Sequence, residues 1–195
     1  MPTVQQTVDE FSRLTGSTRT RVNQIARRLI DEGQLPKSAG KDIKEVVPAD
    51  AMLLLFAIPL TDRVADAPSV ARAFADLPHQ GQKSVFDPTQ MAGKSGVRKI
   101  EMPSAERTAA RLASVVGELL APSSDQRCNQ LNLSRDAHGQ LSAEIKLRGP
   151  AGFETTVYFH HDGDESALSR QTFTLTSEGF EALRNFLARD GDPAK

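Results

Sequence analysis

Ten residues, Ala51 to Leu60 (AMLLLFAIPL), constrain this chain more than any other stretch. Read as a helix opened by Pro48, they are apolar on nearly every side, and a helix of that kind has to be enclosed by the rest of the chain. The run is about half a membrane span and Pro59 interrupts it, so it reads as a buried helix rather than a spanning one. No signal peptide opens the chain, and a soluble, cytoplasmic protein with no membrane contact is expected. A length of 195 residues allows one large domain or two small ones. Hydrophobic and charged contents of 38% and 25% are globular values, so enough apolar surface exists to build the enclosure.

The first part of that enclosure is Thr7 to Gly33. Val8, Phe11 and Leu14 recur at helical intervals, Thr15-Gly16-Ser17 breaks the period, and Ser17 or Thr18 can cap a second helix. Along that second helix Val22, Ile25, Ala26, Leu29 and Ile30 form a core-facing stripe, and Gly33 marks its stop. The remaining positions carry Arg19, Thr20, Arg21, Asn23, Gln24, Arg27 and Arg28, side chains that bond base edges and phosphates in a major groove. The spacing of Ser12, Gly16, Val22 and Ile25 resembles the helix-turn-helix family, with its small residue, turn glycine and two buried aliphatics. The candidate DNA-binding set is therefore Ser17, Thr18, Arg19, Thr20, Arg21, Asn23, Gln24, Arg27 and Arg28. Lys37, Lys41 and Lys44, in the loop or short wing Gln34 to Val47, join it as candidate phosphate contacts. The plainer alternatives are a helical hairpin with a solvated basic face and a solvated linker.

A formal net charge of -1 does not by itself suggest a DNA binder. The distribution does: residues 1 to 45 hold 8 Lys/Arg against 6 Asp/Glu, whereas residues 101 to 195 hold 10 against 14. Attraction to phosphate depends on the local patch, so a basic front and an acidic rear are compatible with DNA contact.

Pro68 to Leu77 supplies another helix, with Val70, Ala71, Phe74 and Leu77 on one face, and completes an all-α module over residues 1 to 77. Residues 78 to 101 lose all period and read as a linker. Its Lys83, Lys94, Arg98 and Lys99 are placed to follow a DNA backbone, or are the ordinary composition of a flexible connection. Ser104 caps a long amphipathic helix that Pro122 ends. Period two then takes over at Leu131 to Leu133, Leu141 to Leu147, Phe153 to Phe159 and Arg170 to Thr176, with turns at 136–139 and 149–152. A last helix, Glu178 to Ala188, buries Phe180, Leu183, Phe186 and Leu187. The expected class is α+β: a helix-turn-helix domain over 1–77, then a domain over 102–195 with about four antiparallel strands and flanking helices. The second domain is expected to dimerise the protein or to contact another protein.

Little else in the chain suggests chemistry. His160-His161-Asp162-Gly163-Asp164-Glu165 draws notice as a metal cluster, but neighbouring strand histidines point to opposite faces and the loop lacks calcium-site spacing. No metal and no cofactor are expected. A single Cys128 provides no disulfide and no zinc set, and no nucleophile or phosphate-loop motif supports an enzyme.

The order of parts resembles regulators associated with prophages and gene transfer agents of alphaproteobacteria. The residues that carry this likeness are DEGQLPKSAGK after the second helix, VVPADAMLLLFAIPL with VADAPSVARAFADL, and the C-terminal RQTFTLTSEGFEALRNFLARD. The resemblance implies a transcriptional regulator of phage-like genes, an activator among its forms. It assigns DNA contact to Arg19, Thr20, Arg21, Asn23, Gln24 and Arg28. The expected partners are double-stranded DNA, a second copy of the chain in a homodimer, and RNA polymerase or another regulatory protein. Two other functions fit the same features: a phage small terminase subunit for DNA packaging, and a protein-binding antirepressor.

Overall fold

A computed structural model describes residues 2–37, 45–86, 111–121, 127–148, 153–160 and 169–188. The first helix, α1 (Val4–Thr15), starts at Thr3, whose side chain accepts from the Gln6 backbone while Gln6 returns a bond to the Thr3 N–H at 2.8 Å. This reciprocal cap and the Thr3–Glu45 bridge fix the amino-terminal lead, so α1 begins three residues earlier than the apolar period indicates. The three-residue turn Gly16–Thr18 leads into α2 (Arg19–Asp31). Val46 then bonds back to the Pro2 carbonyl at 2.8 Å, returning the chain to α1 before α3 (Pro48–Leu60) begins.

Helix α3 is the centre of the molecule. Ala51, Met52, Leu54, Leu55, Phe56, Ala57, Ile58 and Leu60 are all buried, as an apolar helix on every side requires. It packs on α1, α2 and α4 (Ala67–Ala75), and also on α5 (Leu112–Leu120) and on two strands of the sheet. A short 3-10 turn, Val64–Asp66, joins α3 to α4, and Phe56 meets Phe74 with ring centroids 5.8 Å apart. One apolar core therefore runs from the helices into the sheet, and the two halves read from the sequence share it.

Among the described residues the sheet has five antiparallel strands, one more than the period-two count: β1 (His79–Phe86), β2 (Arg127–Asp136), β3 (Leu141–Arg148), β4 (Phe153–His160) and β5 (Ser169–Thr176), in the order β1-β4-β3-β2-β5. β2, β3 and β4 form the expected meander. β5 crosses back to pair with β2, and β1 pairs with β4. The extra strand falls inside the stretch read as linker, a correction with a clear cause. HQGQKSVF has no apolar alternation to signal a strand; its backbone ladder to β4 holds it, helped by His79 against the Phe159 ring and by Gln80 donating to the His160 carbonyl at 3.0 Å. The rest of the expected linker, from Asp87 on, lies outside the described residues.

Registry sorts the sheet's two faces. Leu131, Ile145 and Val157 stand opposite one another, as do Leu133, Ala143 and Phe159, and these side chains are buried. The alternate rows are polar, exemplified by Asn132, Glu144 and exposed Tyr158. Helix α6 (Ser177–Ala188) buries Phe180, Leu183 and Leu187 against β2, β5 and α5. The helix expected from Ser104 is corrected at its start: Arg111 is extended (φ -103, ψ 152) and bridged to Pro78, so the described helix begins at Leu112. Residues 101–110, Ser104 included, are outside the described set. Among the described residues no helix is long and apolar enough to cross a membrane.

Candidate nucleic-acid interface

The turn between α1 and α2 is built as its residue types demand. Gly16 has φ 68 and ψ 6, the left-handed conformation that costs glycine nothing and an L side chain about 1–2 kcal/mol. Ser12 Oγ donates to the Ser17 carbonyl at 2.6 Å, and the Ser17 N–H donates to Thr15 Oγ1 at 3.3 Å, closing the turn on itself. Thr18, not Ser17, is the cap of α2: its backbone is extended and its Oγ1 accepts from the Arg21 N–H at 3.3 Å.

Val22, Ile25, Ala26 and Leu29 are buried, and this fixes the rotation of α2. At 3.6 residues per turn the opposite stripe is Thr20, Gln24, Arg27 and Asp31, all exposed, with half-buried Asn23 beside it. The other arginines lie on the flanks and are engaged within the protein. Arg19 Nε stands 2.6 Å from Asp9 Oδ1, tying the first turn of α2 to α1. Arg21 donates to the carbonyls of Thr61 and, at 3.4 Å, of Asp62, just past the end of α3. Arg28 pairs at 3.1 Å with Glu32, the residue that caps the carboxyl end of α2.

The sequence-derived set is thus divided. Thr20, Asn23, Gln24 and Arg27 come together as an outward amide, hydroxyl and guanidinium surface. Ser17 and Thr18 serve the turn and the cap, and the O–H of each hydroxyl is of the type that donates to a phosphate oxygen. Lys37 is exposed at the end of its described segment, and Lys41 and Lys44 lie outside the described residues. The stripe itself carries one cation, Arg27, and one anion, Asp31, so its charge is close to balanced. Recognition at such a surface depends on hydrogen-bond pattern more than on field strength. Positively charged backing comes from the flanks, where Arg19 and Arg28 remain substantially exposed despite their partners.

Among the described residues no group of three or more His, Cys, Asp or Glu side chains is placed to hold a metal ion. His161 to Glu165 lie outside the described residues. Cys128 is buried, and that burial pushes its thiol up to about 12 from 9.0, with the Gln130 backbone bond opposing the rise. A thiol held neutral in this way is a packing group rather than a nucleophile.

Periodicity missed the residues that tie α2 to the sheet. Asp62 accepts from Arg135 Nη1 at 3.2 Å and from Gln171 Nε2 at 3.4 Å, contacts spanning 73 and 109 positions of sequence. No local spacing signals a pairing of that range. Comparison with protein-family models, curated proteins and solved structures gave no match for the chain.

Proposed function

We propose that this chain is a sequence-specific double-stranded DNA-binding regulator of transcription. In this reading α2 enters the major groove with Thr20, Asn23, Gln24 and Arg27 leading. The observation that carries the reading is local: a glycine turn at Gly16 followed by a helix whose buried stripe directs amide, hydroxyl and guanidinium groups outward together. Asn and Gln are suited to adenine, Arg to guanine, and each well-placed bidentate contact is worth about 1–3 kcal/mol of discrimination. Arg19, Arg28 and Lys37 act as phosphate contacts, and Arg21 holds the helix in place. A homodimer would present two such helices to paired half-sites, with the sheet half available to RNA polymerase or another regulatory protein. The sequence resemblance supports phage-like or gene transfer agent genes as the targets, and activation as the outcome.

One observation favours a protein partner instead. Three of the four arginines of α2 are already paired with carboxylates or carbonyls, which leaves a nearly neutral stripe. Mapping of bound DNA across the native genome separates the readings. Peaks at promoters support regulation, a single peak at a packaging start supports the terminase alternative, and an absence of peaks supports protein binding.

A further inference from the structure

The carboxyl end of α3 is the meeting point of the two halves. A helix leaves its last carbonyls without internal partners and carries partial negative charge there. Here two arginines answer from opposite sides. Arg21, from α2, donates to Thr61 O and to Asp62 O at 3.4 Å. Arg135, from β2, reaches Leu60 O at 3.5 Å and the Asp62 carboxylate at 3.2 Å, while Gln171, from β5, donates to the same carboxylate at 3.4 Å. Residues 60 to 62 therefore hold α2 on one side and two neighbouring strands on the other.

Magnitude decides what such a junction can do. The Asp62 side chain is 64% exposed and that of Arg135 is 31% exposed, so their ion pair adds little to global stability, about 0–1 kcal/mol. Placement is different. Among the described residues the partners of the Arg21 guanidinium are the carbonyls of Thr61 and Asp62, and Asp62 is itself engaged through its carboxylate by Arg135 and Gln171 of the sheet.

We infer that Asp62, Arg135 and Gln171 are positioning residues for α2, setting the stance of its outward stripe through Arg21 and the 60–62 backbone. The consequence for recognition rests on the DNA-binding proposal, but the junction itself is tested without DNA. Amide hydrogen exchange is measured on the full chain for wild type, Arg135→Ala, Arg21→Ala, the double variant, Arg135→Lys, Asp62→Asn, and Arg13→Ala as a control on the exposed Arg13–Glu10 pair.

Arg135→Ala is expected to raise exchange in residues 19–31 about threefold or more while Tm moves by less than about 4 °C. Arg135→Lys restores part of the protection. The double variant exchanges no faster in α2 than Arg21→Ala alone, because both substitutions break one chain of contacts. Should Arg135→Ala fail to fold, Asp62→Asn carries the same expectation with its shape preserved. Unchanged α2 exchange, a change confined to residues 127–140, or multiplicative effects in the double variant would overturn the inference. Titration of the same proteins with duplex DNA keeps the two proposals apart. If wild type binds no DNA the functional reading fails, while the exchange result still decides the junction.

Discussion

Gly179 and Gly117 both lie inside helices, yet alanine is expected to act on them with opposite sign. Alanine in place of a helical glycine ordinarily stabilises by about 0.5–1 kcal/mol, because the unfolded chain has less freedom to lose. At Gly117 in α5, nothing lies within 4 Å of the added Cβ, so the full gain should appear. At Gly179 in α6, the Cβ would meet Leu175 Cδ1 at 2.6 Å and Leu175 Cγ at 3.4 Å. Optimal carbon contacts are about 3.5–4.0 Å, so Leu175 must turn to another rotamer. Leu175 is only 3% exposed and its neighbours are close-packed, so that turn carries an overpacking cost of about 1–3 kcal/mol. The net is a loss of about 1 kcal/mol at Gly179 against a gain of up to about 1 kcal/mol at Gly117. For a chain of this length those values move Tm by about 2–4 °C in opposite directions, well within the resolution of calorimetry. If Gly179→Ala raises Tm as much as Gly117→Ala, the packing of α6 on β5 described above is wrong.

Gly16→Ala should cost about 1 kcal/mol by chemical denaturation, since φ 68 strains any L side chain and no contact compensates; a neutral result would mean that the turn relaxes. Thr61 is 3% exposed and its Oγ1 has no hydrogen-bond partner among the described residues, so Thr61→Val should stabilise by about 1 kcal/mol. A destabilised Thr61→Val protein would show that the hydroxyl is satisfied in solution. Cys128 should resist alkylation at pH 8 in the folded protein and react only on unfolding. Its folded pKa is raised from 9.0 to about 12, so its contribution to stability is complete below pH 9 and is lost as pH rises towards 12. Cys128→Ala should remove that alkaline loss, and an equally steep decline in the variant would assign it to other groups.

The parts legible in the sequence are those whose stability comes from their own apolar pattern. The all-apolar α3, the stripe Val22, Ile25, Ala26 and Leu29, and the alternation of Leu141 to Leu147 each specify an element and its buried face. β1 carries no such pattern, because an edge strand can rest chiefly on its backbone ladder and on polar contacts such as Gln80 to the His160 carbonyl. The candidate interface was legible as a helix face but not in detail. A helical wheel shows that Arg21 and Arg28 lie on the flank and Arg27 at the apex, but not that Asp9, Thr61 and Asp62 stand ready to engage the flanking arginines. Those partners come from neighbouring elements, and their positions depend on how α1 and α3 pack. For the same reason the net basic count over residues 1 to 45 overstated the positive surface of α2.

The central claim is that the outward stripe of α2, not its flanks, reads DNA. The most direct measurement is a fluorescence anisotropy titration of a labelled duplex carrying the bound sequence, across a range of salt concentrations, with wild type and Gln24→Ala/Arg27→Ala compared. The account predicts wild-type binding that weakens steeply as salt rises. The double variant should lose about 2–6 kcal/mol of specific affinity, from about 1–3 kcal/mol per contact, while its melting temperature is retained. Binding that ignores salt, or a double variant that binds as tightly as wild type, would contradict it.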